Sequence, residues 1–286
     1  MSTSIASLLA QRSIDKRETE MLIAQALGTT RAYVIAHPER SLDIGQEKIL
    51  RGWIARRASG EPMAYVLGTR EFYGHYLNVS PATLIPRPET ELIVEQGLAR
   101  FSEHKWLKNR TSAGVLDMGT GSGAIAISIA LAMSLAFSND EVRVAVTATD
   151  ISPAALEIAR LNAKRLGANV AFIISNWYAE LSDRKFDLIV SNPPYVAGGD
   201  VHLAQGDLRF EPQAALTDGS ADGLASIRAI IAGAAAHLVP DGWLLFEHGY
   251  DQADACRTLL LKAGFDNLIS YRDLAGIPRV AGGQIR

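Results

Sequence analysis

Short aliphatic runs alternate with helical segments from Gly114 onward, and this alternation constrains the fold more than any other feature of the chain. The aliphatic runs read GVLDMG, VRVAVTATD, VAFIIS, FDLIVSNPP and GWLLFEHG, and amphipathic runs such as SPAALEIARLNAKRLG separate them. Parallel strands need crossover helices and are buried on both faces, so they appear as continuous apolar runs. The pattern therefore predicts a doubly wound α/β fold. Two weaker strand candidates follow, around Ile269 and Val280.

A small helical region precedes this alternating pattern. Asp15 stands before an amphipathic run that ends at Gly28, and a second such run, DIGQEKILRGWIARRASG, ends at Gly60. The following segment, EFYGHYLNVS, has aromatic and aliphatic residues around Gly74 and favours a short hairpin. We predict a helical domain at 1–63, a β-hairpin linker at 64–86 and an α/β domain at 87–286.

A glycine-rich turn, DMGTGSGA, stands between the first predicted strand and its helix. Gly119, Gly121 and Gly123 let the backbone turn tightly and approach a ligand at the carboxyl edge of the sheet. Doubly wound proteins bind nucleosides at this edge. Ala124 also completes the dinucleotide pattern GxGxxA, so the turn alone leaves an NAD-dependent enzyme open as an alternative.

Two further residues follow neighbouring strands at the same edge. Asp150 ends the second strand and can accept hydrogen bonds from ribose hydroxyls, or it can cap the next helix. Ser152 is itself a good cap, which favours the ribose interpretation. Trp177 follows the third strand and can pack against an adenine ring or simply fill the core.

The fourth strand ends in the tetrapeptide NPPY, formed by Asn192, Pro193, Pro194 and Tyr195. The prolines fix the backbone and leave carbonyl acceptors, Asn192 adds an amide, and Tyr195 offers a flat face. These groups predict a clamp for a planar NH2 group. If the ligand at the glycine turn is S-adenosylmethionine, the clamp can orient the lone pair of an amide or aromatic amine nitrogen toward the methyl group.

Nearly the whole chain resembles the HemK/PrmC family of release-factor glutamine methyltransferases. The resemblance rests on LIPRPETE, DMGTGSGAIAISIA, FDLIVSNPPYV, FEPQAAL and LLFEHGYDQ, which together are more specific than NPPY alone. It implies a Rossmann-like class I SAM-dependent methyltransferase fold with a seven-stranded sheet. It also implies S-adenosyl-L-methionine as donor, S-adenosyl-L-homocysteine as product, and the glutamine amide of the Gly-Gly-Gln (GGQ) loop of peptide-chain release factors as acceptor.

The resemblance also assigns site residues. It implies that Asn192, Pro193 and Tyr195 are catalytic and that these three together with Pro194 bind the glutamine. The cofactor-binding residues that it implies are Gly119, Thr120, Gly121, Ser122, Gly123, Asp150, Trp177 and Asn192. The helical domain is expected to help hold the protein substrate.

Composition restricts the remaining partners. The chain has 286 residues, a net charge of -3 and a single cysteine, Cys256. This net charge gives no reason to expect nucleic acid as the main partner, although the cluster RGWIARR leaves a local basic patch open. A single cysteine cannot form an internal disulfide, and no long apolar run predicts a membrane span. We expect a cytoplasmic monomer. We expect no metal site, since Asp200 and His202 alone do not make one.

Two other functions stay open on sequence grounds. A methyltransferase for the N6 of adenine or the N2 of guanine would use NPPY to hold an extruded base. A non-catalytic adaptor would bind release factors and sense the cofactor. The chain itself ends in AGGQIR, and we interpret its Gly282-Gly283-Gln284 as a coincidence with the proposed acceptor sequence.

Overall fold

The structure is a computed structural model that describes residues 3–103, 111–136 and 143–286. The chain divides into two compact units. One contains Met1–Thr69 together with Gln205–Phe210, and the other contains Arg70–Ala204 and Glu211–Arg286. These two units do not test the predicted division into 1–63, 64–86 and 87–286, which stays a prediction.

The first unit is helical, with capping residues at the ends of its longer helices. Its helices are α1 (Ile5–Leu9), α2 (Lys16–Leu27), α3 (Arg31–Ala36), α4 (Ile44–Ala58) and α5 (Met63–Leu67). Asp15 caps α2, and Gly28 ends it in the left-handed conformation at φ 62°. Asp43 and Gln46 form a reciprocal capping box at the start of α4. The buried core of this unit is aliphatic and includes Ile5, Leu22, Ile23, Val34 and Leu50.

The segment Gln205–Phe210 also belongs to the helical unit, although it is distant in sequence. Asp207 forms an ion pair with Arg57 of α4 at 3.5 Å. Arg209 donates to the carbonyl oxygen of Ser59 at 3.2 Å, and its guanidinium lies 4.8 Å from the centroid of the Phe210 ring. Part of the long loop that follows NPPY is therefore held by the end of α4.

The predicted hairpin is present. Strands β1 (Thr69–Phe72) and β2 (His75–Asn78) form a two-stranded sheet. The two turn residues, Tyr73 and Gly74, have φ angles of 51° and 76°. Consecutive positive φ angles give the turn a twist that matches the twist of the strands, which explains the glycine.

The second unit is built around one large sheet. Its strands are β3 (Ser112–Met118), β4 (Arg143–Asp150), β5 (Val170–Ile174), β6 (Phe186–Ser191), β7 (Leu238–Glu247), β8 (Asp266–Arg272) and β9 (Pro278–Gln284). In the described residues these seven strands have the order β5-β4-β3-β6-β7-β9-β8. Strands β3 to β7 are parallel, and β9 is antiparallel to both of its neighbours. The predicted doubly wound, mostly parallel sheet is therefore confirmed.

Helices cover both faces of this sheet, and alternate strand residues point to opposite faces. Val115 and Leu188 belong to one buried cluster, whereas Leu116 and Ile189 belong to the other. The helices of the unit are α6 (Glu91–Glu103), α7 (Ala124–Ala136), α8 (Pro153–Leu166), α9 (Gln213–Leu216), α10 (Ala225–His237) and α11 (Ala253–Lys262). Burial on two faces explains why the strands carry uninterrupted apolar runs.

Cys256 gives a chemical probe of this packing. Its side chain on α11 is completely buried, and burial raises the pKa of the thiol to about 12. Because the thiolate is the reactive form, iodoacetamide is expected to leave the native protein unmodified at neutral pH and to alkylate it rapidly in guanidinium chloride. Intact-mass spectrometry measures both. Rapid stoichiometric alkylation of the native protein would contradict the packing of α11 against the sheet.

Candidate active site

A cavity of about 480 Å³ opens at the carboxyl edge of the parallel strands. The sheet register sets Met118 beside both Thr149 and Ser191, so the residues after β3, β4 and β6 lie next to one another. Of the sequence-predicted site residues, eight line the cavity: Gly119, Thr120, Gly121, Ser122, Asp150, Trp177, Asn192 and Pro194. Gly123, Pro193 and Tyr195 are not among its lining residues.

The glycine turn supplies backbone conformations that other residues rarely adopt. Gly119, Gly121 and Gly123 have φ angles of 69°, 56° and 86°. A Cβ on Gly123 would lie 2.7 Å from the Ile127 side chain and 3.2 Å from that of Ala159. Gly123 is therefore required for the packing of α7 against α8, whereas the first two glycines border the cavity.

The Asp117 side chain stabilises this turn through hydrogen bonds. Its Oδ2 accepts hydrogen bonds from the Thr120 hydroxyl at 2.6 Å and from the Ala126 N–H at 3.1 Å. Complete burial raises the pKa of Asp117 to about 7. Its Oδ1 has no hydrogen-bond partner within the described residues, which leaves an acceptor beside the turn.

Asp150 lies between the turn and the start of α8. Its two carboxylate oxygens accept from the N–H groups of Gly121 at 2.9 Å and Ser152 at 2.8 Å. Ser152 is the N-cap residue of α8, and its hydroxyl accepts from the Ala155 N–H. Burial raises the pKa of Asp150, and hydrogen bonds from backbone N–H groups oppose that rise. The carboxylate lines the cavity and keeps lone pairs for a ligand.

Trp177 has an unusual backbone conformation for a large residue. It adopts a positive φ of 51°, which is uncommon for a large side chain and often occurs at functional sites. It lines the cavity and also packs against the core cluster below the sheet, so the two sequence-based interpretations are compatible. The neighbouring Asn176 lines the cavity as well. Tyr178 does not, because its hydroxyl donates to the Ile230 carbonyl oxygen at 2.8 Å.

The NPPY segment follows β6 directly. The Asn192 side chain donates from Nδ2 to the Thr90 hydroxyl at 3.0 Å and lines the cavity with Pro194. Pro193 is buried. The Tyr195 hydroxyl donates to Oε1 of Glu247 at 2.9 Å. Tyr195 therefore has its polar end occupied within the protein.

Sequence reasoning missed Thr90 and did not assign Glu247 to the site. Glu247 ends β7 and is completely buried, and its Oε2 accepts from the Thr90 hydroxyl at 2.7 Å. Burial raises the pKa of Glu247, whereas the hydrogen bonds from Thr90 and Tyr195 and the charge of Arg279 lower it. A glutamate at the end of an otherwise apolar buried strand was the signal in the sequence that could have identified it.

A second buried glutamate holds the segment that returns from the loop after NPPY. Glu211 accepts from the Ile85 N–H at 2.9 Å and forms an ion pair with Arg87. The residues that follow it include Pro212 and Ala215, which line the cavity. The segments LIPRPE and FEPQAAL are therefore joined at one side of the cavity.

Two sequence features lie apart from this cavity. Asp200 and His202 bond each other at 2.7 Å, and the described residues contain no cluster of three or more potential metal ligands. Gln284 pairs with Trp243 in the sheet, toward the edge away from the cavity, and its side-chain amide bonds both Asn267 and Asp241. Within the described ranges, every helix falls short of the length and hydrophobicity that a membrane crossing requires.

Comparisons with known proteins agree with this architecture. Residues 2–68 match the family described as PrmC N-terminal domain, and residues 102–217 match the family described as methyltransferase small domain. The release factor glutamine methyltransferase of Bordetella pertussis is 49% identical over 99% of this chain and 100% of its own length. The corresponding protein of Pseudomonas aeruginosa is 43% identical over 99% of both chains.

The chain belongs to the release factor glutamine methyltransferase family. The likeness spans both units and nearly every residue, so the family resemblance drawn from the sequence motifs is confirmed. Among solved structures, the 16S rRNA N2 G1207 methyltransferase of Thermus thermophilus, in complex with AdoMet and guanosine, has a TM-score of 0.52 and 18% identity. It matches 76% of this chain and 50% of its own length, and at this identity it supports the fold alone.

Proposed function

We propose that this protein transfers a methyl group from S-adenosylmethionine to the side-chain amide nitrogen of glutamine in the GGQ loop of peptide-chain release factors. The observation that carries the proposal is the position of Asn192 and Pro194 on the same cavity as the glycine turn and Asp150. Membership of the release factor glutamine methyltransferase family supports the choice of acceptor.

The cavity has the chemistry that S-adenosylmethionine requires. Gly119 and Gly121 have no side chains, so a ligand in the cavity can approach their backbone closely. Trp177 also lines this cavity. Asp150 lines the cavity and offers acceptors for ribose hydroxyls. We propose that Thr120, Ser122 and Gly123 complete the binding turn. When bound, S-adenosylmethionine supplies an electrophilic methyl group on a positively charged sulfur.

The contribution of NPPY is to position the acceptor nitrogen. An amide nitrogen is a weak nucleophile because its lone pair is delocalised into the carbonyl group. Acceptors at Asn192 Oδ1 and the Pro193 carbonyl oxygen would hold its two N–H groups and aim the lone pair at the methyl carbon. With S-adenosylmethionine bound, the new N–C bond would form as the C–S bond breaks, S-adenosyl-L-homocysteine would leave, and one amide proton would then pass from the nitrogen to solvent.

Tyr195 contributes its ring and not its hydroxyl. The hydroxyl is bonded to Glu247, and burial together with that carboxylate raises the pKa of Tyr195. Tyr195 therefore keeps its proton and cannot act as a general base. We propose that the aromatic ring supports the acceptor glutamine beside Pro194.

Asp150 gives a direct test of the cofactor site. Asp150→Ala is expected to weaken binding of S-adenosylmethionine by about ten- to a hundredfold, because a ribose contact and the brace on Gly121 are both lost. Isothermal titration calorimetry measures the change. Glu180→Ala, which removes an exposed carboxylate outside the cavity lining, is the control and should bind normally. Equal dissociation constants for Asp150→Ala and the unaltered protein would exclude this assignment.

The experiment that tests the function is transfer of labelled methyl to a purified release factor, beside a panel of DNA and RNA. Label on the release factor alone supports the proposal. Label on nucleic acid alone would contradict it and would make Asn192 a base-recognition residue. We further propose a monomer, because one chain supplies every proposed site residue. We also propose that the protein is cytoplasmic and needs neither a nucleic-acid nor a membrane partner, because its proposed substrates are release factors.

A further inference from the structure

The Thr90 hydroxyl lies between a buried carboxylate and the Asn192 amide. It is 2.7 Å from Glu247 Oε2 and 3.0 Å from Asn192 Nδ2. The other oxygen of Glu247 bonds the Tyr195 hydroxyl at 2.9 Å. Thr90 and Glu247 are both buried, with 4% and 1% of their surface exposed. The hydrogen bonds between these side chains are therefore largely shielded from competing water.

The number of hydroxyl hydrogens in this series of hydrogen bonds determines which way the Asn192 side-chain amide faces. The Thr90 hydroxyl donates to Oε2 of Glu247 and the Tyr195 hydroxyl donates to Oε1, so both hydroxyls direct their hydrogens to this side chain. Thr90 has one hydroxyl hydrogen and can then only accept from its other neighbour. Asn192 must present its NH2 group to Thr90, and its Oδ1 is turned the other way.

We propose that Thr90 and Glu247 are positioning residues that fix the Asn192 amide with Oδ1 free for the acceptor amide of the substrate. This inference rests on the proposed function, since it concerns the atom that accepts the substrate N–H. The reversed amide would set an NH2 group against the NH2 group of glutamine. Two donors cannot bond each other, and the lone pair of the acceptor nitrogen would lose its alignment.

Acceptance of one hydrogen bond by each oxygen of Glu247 is an essential part of this arrangement. In Glu247→Gln, a side chain of nearly the same shape can donate to Thr90 and release the threonine hydrogen. That hydrogen would then favour the reversed Asn192 amide. Thr90→Val keeps the shape of residue 90 but removes the hydroxyl, whereas Thr90→Ser keeps the hydroxyl.

The test is steady-state kinetics of methyl transfer to a release factor by Thr90→Val, Glu247→Gln, their double variant and Thr90→Ser. We expect kcat to fall by about ten- to a hundredfold in both single variants, with an unchanged dissociation constant for S-adenosylmethionine. The double variant should lose no more than the worse single variant, because both act through one amide. Thr90→Ser should restore most of the rate.

Several results would overturn the inference. One is a folded Thr90→Val or Glu247→Gln with the kcat of the unaltered protein, and another is equal loss of rate in Thr90→Val and Thr90→Ser. Multiplied losses in the double variant would show two independent effects and would also contradict it. If Glu247→Gln fails to fold, the comparison of Thr90→Val with Thr90→Ser decides alone. Failure of the unaltered protein to methylate the release factor would instead reject the proposed function.

Discussion

Asn192→Ala is expected to lower kcat for methyl transfer by about a hundred- to a thousandfold, the usual loss when one preorganised polar group is removed from the reacting centre. Asn192 lines the cavity directly after β6, and its Nδ2 is already committed to Thr90. Its remaining oxygen is the side-chain acceptor that we assign to the substrate amide. Without it, the nitrogen lone pair is no longer held toward the methyl group.

The matched control for this variant is Asn176→Ala. Asn176 is the same residue type and lines the same cavity, but it lies after β5 and outside NPPY. Single-turnover methyl transfer at saturating S-adenosylmethionine measures the chemical step for both proteins. An Asn192→Ala protein with an undiminished rate, or an equal loss in Asn176→Ala, would contradict the assignment of the acceptor clamp.

Gly223→Ala should produce the second large effect, a loss of stability of about 2–4 kcal/mol together with loss of activity. Gly223 has φ 64°, and a Cβ there would lie 2.1 Å from the carbonyl oxygen of Tyr195. That carbonyl oxygen also accepts from the Gln252 side chain at 3.0 Å. The new methyl group would therefore displace the NPPY backbone and break the hydrogen bond between Gln252 and the Tyr195 carbonyl oxygen.

Gly167→Ala separates this clash from ordinary backbone strain. Gly167 ends α8 at φ 73°, and a Cβ there would meet no atom within 4 Å. Its expected cost is about 1–2 kcal/mol, from the left-handed conformation alone. Urea denaturation measures the free energy of unfolding of both variants. Equal losses, with activity retained in Gly223→Ala, would disprove the close contact at NPPY.

The parts of the fold that follow from local sequence were predictable. Buried parallel strands require apolar runs, and the positive φ angles of the turn require Gly119 and Gly121. Because parallel strands end at one edge, Asp150 and Asn192 could be assigned to a common crevice before the structure was known. The resemblance to a known family added the identity of the acceptor, which strand patterns cannot supply.

The parts that depend on distant side chains were not predictable in this way. Thr90 and Glu247 are 157 positions apart, and no local pattern indicates that their side chains meet. Glu211 likewise joins the Ile85 backbone across 126 positions. Gly123 stays a predicted cofactor residue, and the structure adds a packing requirement between α7 and α8 that the sequence did not indicate. Such contacts depend on the arrangement of helices around the sheet.

The measurement that tests the central claim most directly is mass spectrometry of a purified release factor after incubation with this protein and S-adenosylmethionine. A parallel reaction uses the release factor with its GGQ glutamine changed to alanine. We predict one added methyl group on the peptide that contains the GGQ sequence, located on the glutamine side chain, and no modification of the alanine variant. A methyl group on another residue, or equal methylation of both release factors, would contradict the account.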